Sequence, residues 1–76
     1  MTKNSNDFNA FTEKLGRRIK DLRDEKEYSQ EKLASLVEMD RVSIGYIEQG
    51  RRAPKLSTLY KIAKQLDVDV AKLFTK

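Results

Sequence analysis

Arg41, Val42, Ser43, Gly45, Tyr46 and Gln49 fall together on the side of a short helical run that faces away from Ile44 and Ile47. A merely solvated helix face usually carries Lys and Glu. This one carries a guanidinium, a hydroxyl, a phenol, an amide, an exposed valine and a glycine. Such groups suit the edges of base pairs: Arg pairs bidentately with guanine, Gln with adenine, and a small apolar side chain meets the thymine methyl. An ordinary solvated face with a few uncharged residues is the alternative reading. From Gly50 to Leu66 the chain holds five basic residues, Arg51, Arg52, Lys55, Lys61 and Lys64, and no acidic one. A basic block beside a base-reading helix is a phosphate-binding footprint. A plain cationic surface is the bland alternative, and the net charge of +4 does not decide between them.

These groups need helices to position them. Ser29 reads as an N-cap with Gln30 and Glu31 in the first turn, and Leu33, Leu36 and Val37 form one stripe at i, i+3, i+4. Asp40 is a second N-cap, and Gly50 closes the run that contains Ile44 and Ile47. Helices this short do not stand alone in water, so both must pack into a larger body. Phe11, Leu15, Ile19 and Leu22 predict a first helix from Asn9 or Thr12 to Lys26, after a flexible polar stretch over residues 1–8. Its other face is dense in charge. Phe8 reads either as a hydrophobic staple onto that helix, the preferred reading, or as a partner-facing residue. Tyr28 and Met39 plug the core edges at the turns. Pro54 separates the third helix from a fourth over residues 56–66, with Leu56, Leu59, Ile62, Ala63 and Leu66 as its buried stripe. Asp69 caps a short fifth helix that turns Leu73 inward. Val70 and Phe74 are then partly shared with a second subunit, because exposed apolar patches mark contacts.

Composition removes several function classes. Without cysteine or histidine there are no disulfides, no finger-type zinc sites and no Ser-His or Cys-His catalysis. Seventy-six residues leave no room for a deep pocket beside a core. Asp67 and Asp69 are too few to hold a metal. No apolar run approaches membrane-spanning length and the first residues lack the apolar segment of a signal peptide, so the expected location is cytoplasmic.

The ordered series Arg23, Ser29, Gln30, Leu33, Ala34, Ile47, Glu48, Gly50, Pro54, Ala63 and Leu66 resembles the helix-turn-helix family of the lambda repressor and Cro proteins, also called XRE-like. The match runs from about Leu15 to Phe74. The resemblance implies an all-α, five-helix, lambda-repressor-like DNA-binding domain over residues 9–76, with its helix-turn-helix at the second and third helices and a C-terminal dimerisation segment. It implies base reading by Arg41, Val42 and Tyr46, with Tyr46 reading a base or bracing a phosphate. It also implies phosphate contacts by Gln30, Ser43, Gln49, Arg51, Arg52 and Lys55. It implies a partly buried ion pair of Arg23 with Glu48, which fixes the helix angle and can present the guanidinium toward a phosphate. Two departures stand out: the family usually has glycine where Glu27 and Glu38 stand, which leaves the two turns to be defined by the structure. Where the family often has a short polar N-cap this chain has Lys55, so Ser57 is the alternative cap.

The expected function is sequence-specific binding of double-stranded DNA, as a homodimer on an inverted repeat, to regulate transcription. No enzyme activity, cofactor, small-molecule ligand or membrane contact is expected. Small stand-alone members of the family include phage repressors, restriction-modification controllers and antitoxins, and the length and the segment DRVSIGYIE are compatible with a controller. The rival reading is an antitoxin-like module whose main partner is a protein, with Phe8 and Phe11 as its apolar surface.

Overall fold

The apolar periodicities become helices that share one core. The computed structural model describes residues 5–75. Helices α1 (Ser5–Glu25), α2 (Gln30–Leu36), α3 (Arg41–Glu48) and α4 (Leu56–Gln65) are followed by a 3-10 turn at Val70–Phe74. Ile19 of α1, Leu33 of α2, Ile44 of α3, Ile62 of α4 and Leu73 of the 3-10 turn are wholly buried, so every element contributes to the same interior. Burying a side chain of this size is worth about 1.5–3 kcal/mol, which is what holds helices of seven to ten residues in place. α3 packs against both α1 and α2, and the 3-10 turn packs against α1 and α4.

Five helices were expected; the described residues form four α-helices and the 3-10 turn. The last segment has only five residues, and Asp69 makes no side-chain capping bond there. One tight turn, with the Lys72 amide donating to Asp69 O at 2.9 Å, is enough to bury Leu73. α1 starts at Ser5, four or more residues before the expected start. The rest of the stretch expected to be flexible, residues 1–4, lies outside the described residues.

Phe8 is therefore inside α1 and does not staple its start. It is 56% exposed and stacks on Phe11, which stacks in turn on Phe74 with ring centres 5.9 Å apart. Phe11 is half exposed instead of buried. Thr12 takes the inward place, with its hydroxyl 2.9 Å from Asn9 O and 3.1 Å from Gly50 O. Leu56, the first residue of α4, is likewise exposed instead of joining the buried stripe of Leu59 and Ile62. Lys55 occupies the N-cap of α4 without a side-chain capping bond, and Ser57 lies within the helix.

All four helices end in the same way. The Tyr28 amide donates to Arg23 O and the Glu27 amide to Asp24 O; the same pair of bonds recurs at Met39 and Glu38, at Arg51 and Gly50, and at Val68 and Asp67. This is a Schellman ending, with one residue in the left-handed region. That residue is Glu27 (φ 60°), Glu38 (φ 61°), Gly50 (φ 76°) or Asp67 (φ 60°). The two turns whose glycines the sequence lacks thus keep the left-handed geometry with glutamate, against a cost of about 1–2 kcal/mol each. Only Gly50 has a further constraint, because a Cβ there would lie 2.6 Å from the Cα of Glu13. Lys26 and Asp67 join two of these turns by an ion pair that raises the lysine above its usual range.

Candidate nucleic-acid interface

The start of α3 is fixed by Asp40, whose Oδ1 accepts the Ser43 amide at 2.7 Å. That bond, then the Ser43 hydroxyl and the nearby charge of Arg52, hold the Asp40 carboxyl below the usual aspartate range. α2 starts in the same manner, with Ser29 Oγ accepting the Lys32 amide at 2.9 Å. With both N-caps set, the inner face of α3 presents Ile44 and Ile47 to the core, and Arg41, Val42, Tyr46 and Gln49 are exposed on the opposite side. Ser43 is half-buried at the edge. Gly45 does not belong to the outward set: it is buried beneath the Gln30 side chain, whose amide atoms would lie 3.9 Å from a Cβ at that position.

Arg23 and Glu48 are both buried and meet in a two-pronged ion pair, Nε to Oε2 at 2.6 Å and Nη2 to Oε1 at 3.0 Å. The hydrogen bond to Glu48 holds the guanidinium above even its ordinary high range. Nη1 donates to Tyr28 O at 2.8 Å and lies 3.3 Å from Asp24. Nε, Nη1 and Nη2 of Arg23 thus each have an acceptor within the protein, and the ion pair with Glu48 ties α1 to α3.

From Glu48 the polar chain runs outward. Gln30 Nε2 donates to Glu48 Oε1 at 2.9 Å, which turns Gln30 Oε1 away from the carboxylate and toward Arg41, whose Nη1 donates to it at 3.3 Å. The side chain placed first on the exposed face of α3 is thus connected through one amide to the buried ion pair.

At the other end of α3, Arg51 and Arg52 lie over the Tyr46 ring, their guanidinium carbons 5.4 and 5.2 Å from its centre. Arg52 also donates to Ser43 Oγ at 3.0 Å. Lys55 is exposed three residues beyond Arg52 and one before α4. Arg41, Val42 and Tyr46 therefore share a face with Gln30, Ser43, Gln49, Arg51 and Arg52. Val70 and Phe74 lie elsewhere, on the 3-10 turn; Val70 is half-buried against the core and Phe74 is 46% exposed.

Sequence reasoning overlooked Gly16 and Thr12. Both lie on the side of α1 that meets the end of α3, and a Cβ on Gly16 would fall 2.3 Å from Ile47 O. The available signal was a glycine inside a strongly helical pattern, which usually has a packing reason.

Residues 19–73 match the family model described as helix-turn-helix. The restriction-modification controller protein C.AhdI from Aeromonas hydrophila superposes with a TM-score of 0.83 and 40% identity, over 86% of this chain and 98% of that one. Control protein C.MunI from a Mycoplasma species is 36% identical over 63 residues, 82% of this chain and 85% of the relative. Control protein C.SmaI from Serratia marcescens is 36% identical over 69 residues, 91% of this chain and 82% of the relative. Among the described residues no helix is long and apolar enough to cross a membrane. With its capped α2–α3 pair and outward side chains on α3, the chain belongs to the helix-turn-helix (XRE-type) family of DNA-binding transcription regulators.

Proposed function

We propose that this chain is a controller-type regulator that binds double-stranded DNA as a homodimer on an inverted repeat, with α3 in the major groove. The observation that carries the reading is Arg41: exposed at the first position of α3 and hydrogen-bonded to Gln30 at the first position of α2. In this motif the N-terminal part of the second helix reads bases while the first crosses the backbone. Arg41 meets a guanine and Val42 an adjacent base edge, with Tyr46 one turn further along. Gln30, Ser43, Gln49, Arg51, Arg52 and Lys55 follow the phosphates and supply register and affinity without sequence information. Val70 and Phe74 form the contact between subunits. The controller subtype is supported by the control-protein names of C.AhdI, C.MunI and C.SmaI. Its setting is the cytoplasm, at the nucleoid.

The energetic case for two copies is that one helix reads only a few base pairs, each good bidentate contact discriminating by ~1–3 kcal/mol. Selection of bound duplexes from a random pool at moderate salt tests the proposal. Enrichment of an inverted repeat with half-sites about 34–36 Å apart is the expected result. A second reading, a module whose main partner is a protein, is favoured by the exposed aromatic row of Phe8, Phe11 and Phe74. It takes precedence if no duplex is enriched.

A further inference from the structure

We infer that Tyr46 acts as a positioning residue, its ring holding Arg51 and Arg52 in place for the DNA backbone. This assignment rests on the DNA-binding reading above and changes the part played by one side chain within it.

The four helix endings differ at the residue that follows the left-handed position. The residue after the left-handed position is Tyr28 for α1, Met39 for α2 and Val68 for α4, and each of these packs against the core. An apolar contact back onto the last turn usually accompanies this ending. At α3 the corresponding residue is Arg51, which is exposed. Its amide donates to Tyr46 O at 2.9 Å, and its guanidinium lies over the ring of that same residue. The usual apolar clamp is thus replaced by a cation over an aromatic face. Arg52 reaches the same ring and is tied at its tip to Ser43. Arg51 lies just past the C-terminal end of α3, where the helix dipole favours a cation, whereas the Arg52 guanidinium reaches back to Ser43 in the first turn and to the charge of Asp40.

A flexible arginine loses side-chain freedom when it binds a phosphate; one already stacked has less to lose. The gain is independent of base sequence, because phosphates carry none.

The test measures binding of the full chain to a scrambled duplex and to the duplex obtained by selection. Tyr46→Leu is expected to weaken both equally, by roughly five- to tenfold, on the scale of two exposed cation–ring contacts. Tyr46→Phe keeps the ring under Arg51 and Arg52 and is expected to escape the loss that Tyr46→Leu shows on the scrambled duplex. In a background of Arg51→Gln with Arg52→Gln, Tyr46→Leu is expected to cost nothing further. Undiminished binding of the scrambled duplex by Tyr46→Leu overturns the inference. So does a loss in Tyr46→Phe confined to the selected duplex, which makes the hydroxyl a base reader, or a loss that persists in the arginine-free background. Ring-current shifts on the Arg51 and Arg52 side chains of the free protein, present in the parent and absent in Tyr46→Leu, check the arrangement without DNA. If the parent binds no duplex the DNA-binding reading fails, whereas missing ring-current shifts overturn only the role given to Tyr46.

Discussion

Gly16 and Glu48 meet backbone to backbone: a methyl group on the Cα of Gly16 would lie 2.5 Å from Glu48 O, and closer still to Ile47 O. α1 can cross the end of α3 at this distance only because that Cα is bare. The close crossing also brings Arg23, two turns along α1, to the Glu48 carboxylate.

Gly16→Ala is accordingly expected to destabilise. Alanine gains ~1 kcal/mol of helix propensity, but forcing atoms into a packed contact costs ~1–3 kcal/mol, and backbone carbonyls yield less than side chains do. We expect a net loss of about 1–2 kcal/mol, read as a lower urea midpoint at unchanged slope. A midpoint at or above that of the parent would show that the crossing has slack.

Glu38→Gly should act in the opposite direction. Its φ of 61° costs a side chain about 1–2 kcal/mol, and glycine escapes that while paying entropy in the unfolded chain. The expected gain is ~0.5–1 kcal/mol in the same denaturation experiment, and a loss would mean that the glutamate side chain has a compensating role.

Glu48→Gln keeps the shape and removes the charge. Arg23 would be left buried without its partner, and breaking one side of a buried pair typically costs ~3–5 kcal/mol. Gln30 would also lose the carboxylate that orients its amide, so Arg41 should be held less well. Denaturation checks the first effect. DNA binding at a temperature where the variant is fully folded checks the second.

Arg41→Ala and Arg52→Ala should separate base reading from phosphate binding. The first is expected to lose ~1–3 kcal/mol on the selected duplex and little on a scrambled one. The second should weaken binding to both and reduce the slope of log K against log salt by about 1. Equal losses on both duplexes for Arg41→Ala would remove it from the base-reading set.

Phe74→Asp tests the subunit contact. It places a charge in the exposed aromatic row beside Phe11 without touching the wholly buried Leu73. Sedimentation should shift toward the monomer mass while the helical content stays constant. An unshifted mass would locate the interface elsewhere on the surface.

The sequence by itself determined the local features. The stripes through Leu15, Ile19 and Leu22, through Leu33 and Val37, and through Ile62, Ala63 and Leu66 are properties of a 3.6-residue period, and all are buried. The caps at Ser29 and Asp40 need only a short oxygen-bearing side chain before a helix, and both make their bonds. The ordered motif identified the helix-turn-helix. Tertiary structure decided what lies at the borders of those stripes. Whether Phe11 or Thr12 faces inward, whether Leu56 is covered and whether Gly45 looks outward all depend on where neighbouring helices cross, which periodicity does not encode. The same holds for the donor edges of Arg23, engaged by Glu48, Tyr28 O and Asp24, and for two arginines gathered on Tyr46. Such contacts join residues whose side chains meet only once the chain has folded, and their geometry is set by packing and not by spacing along the sequence.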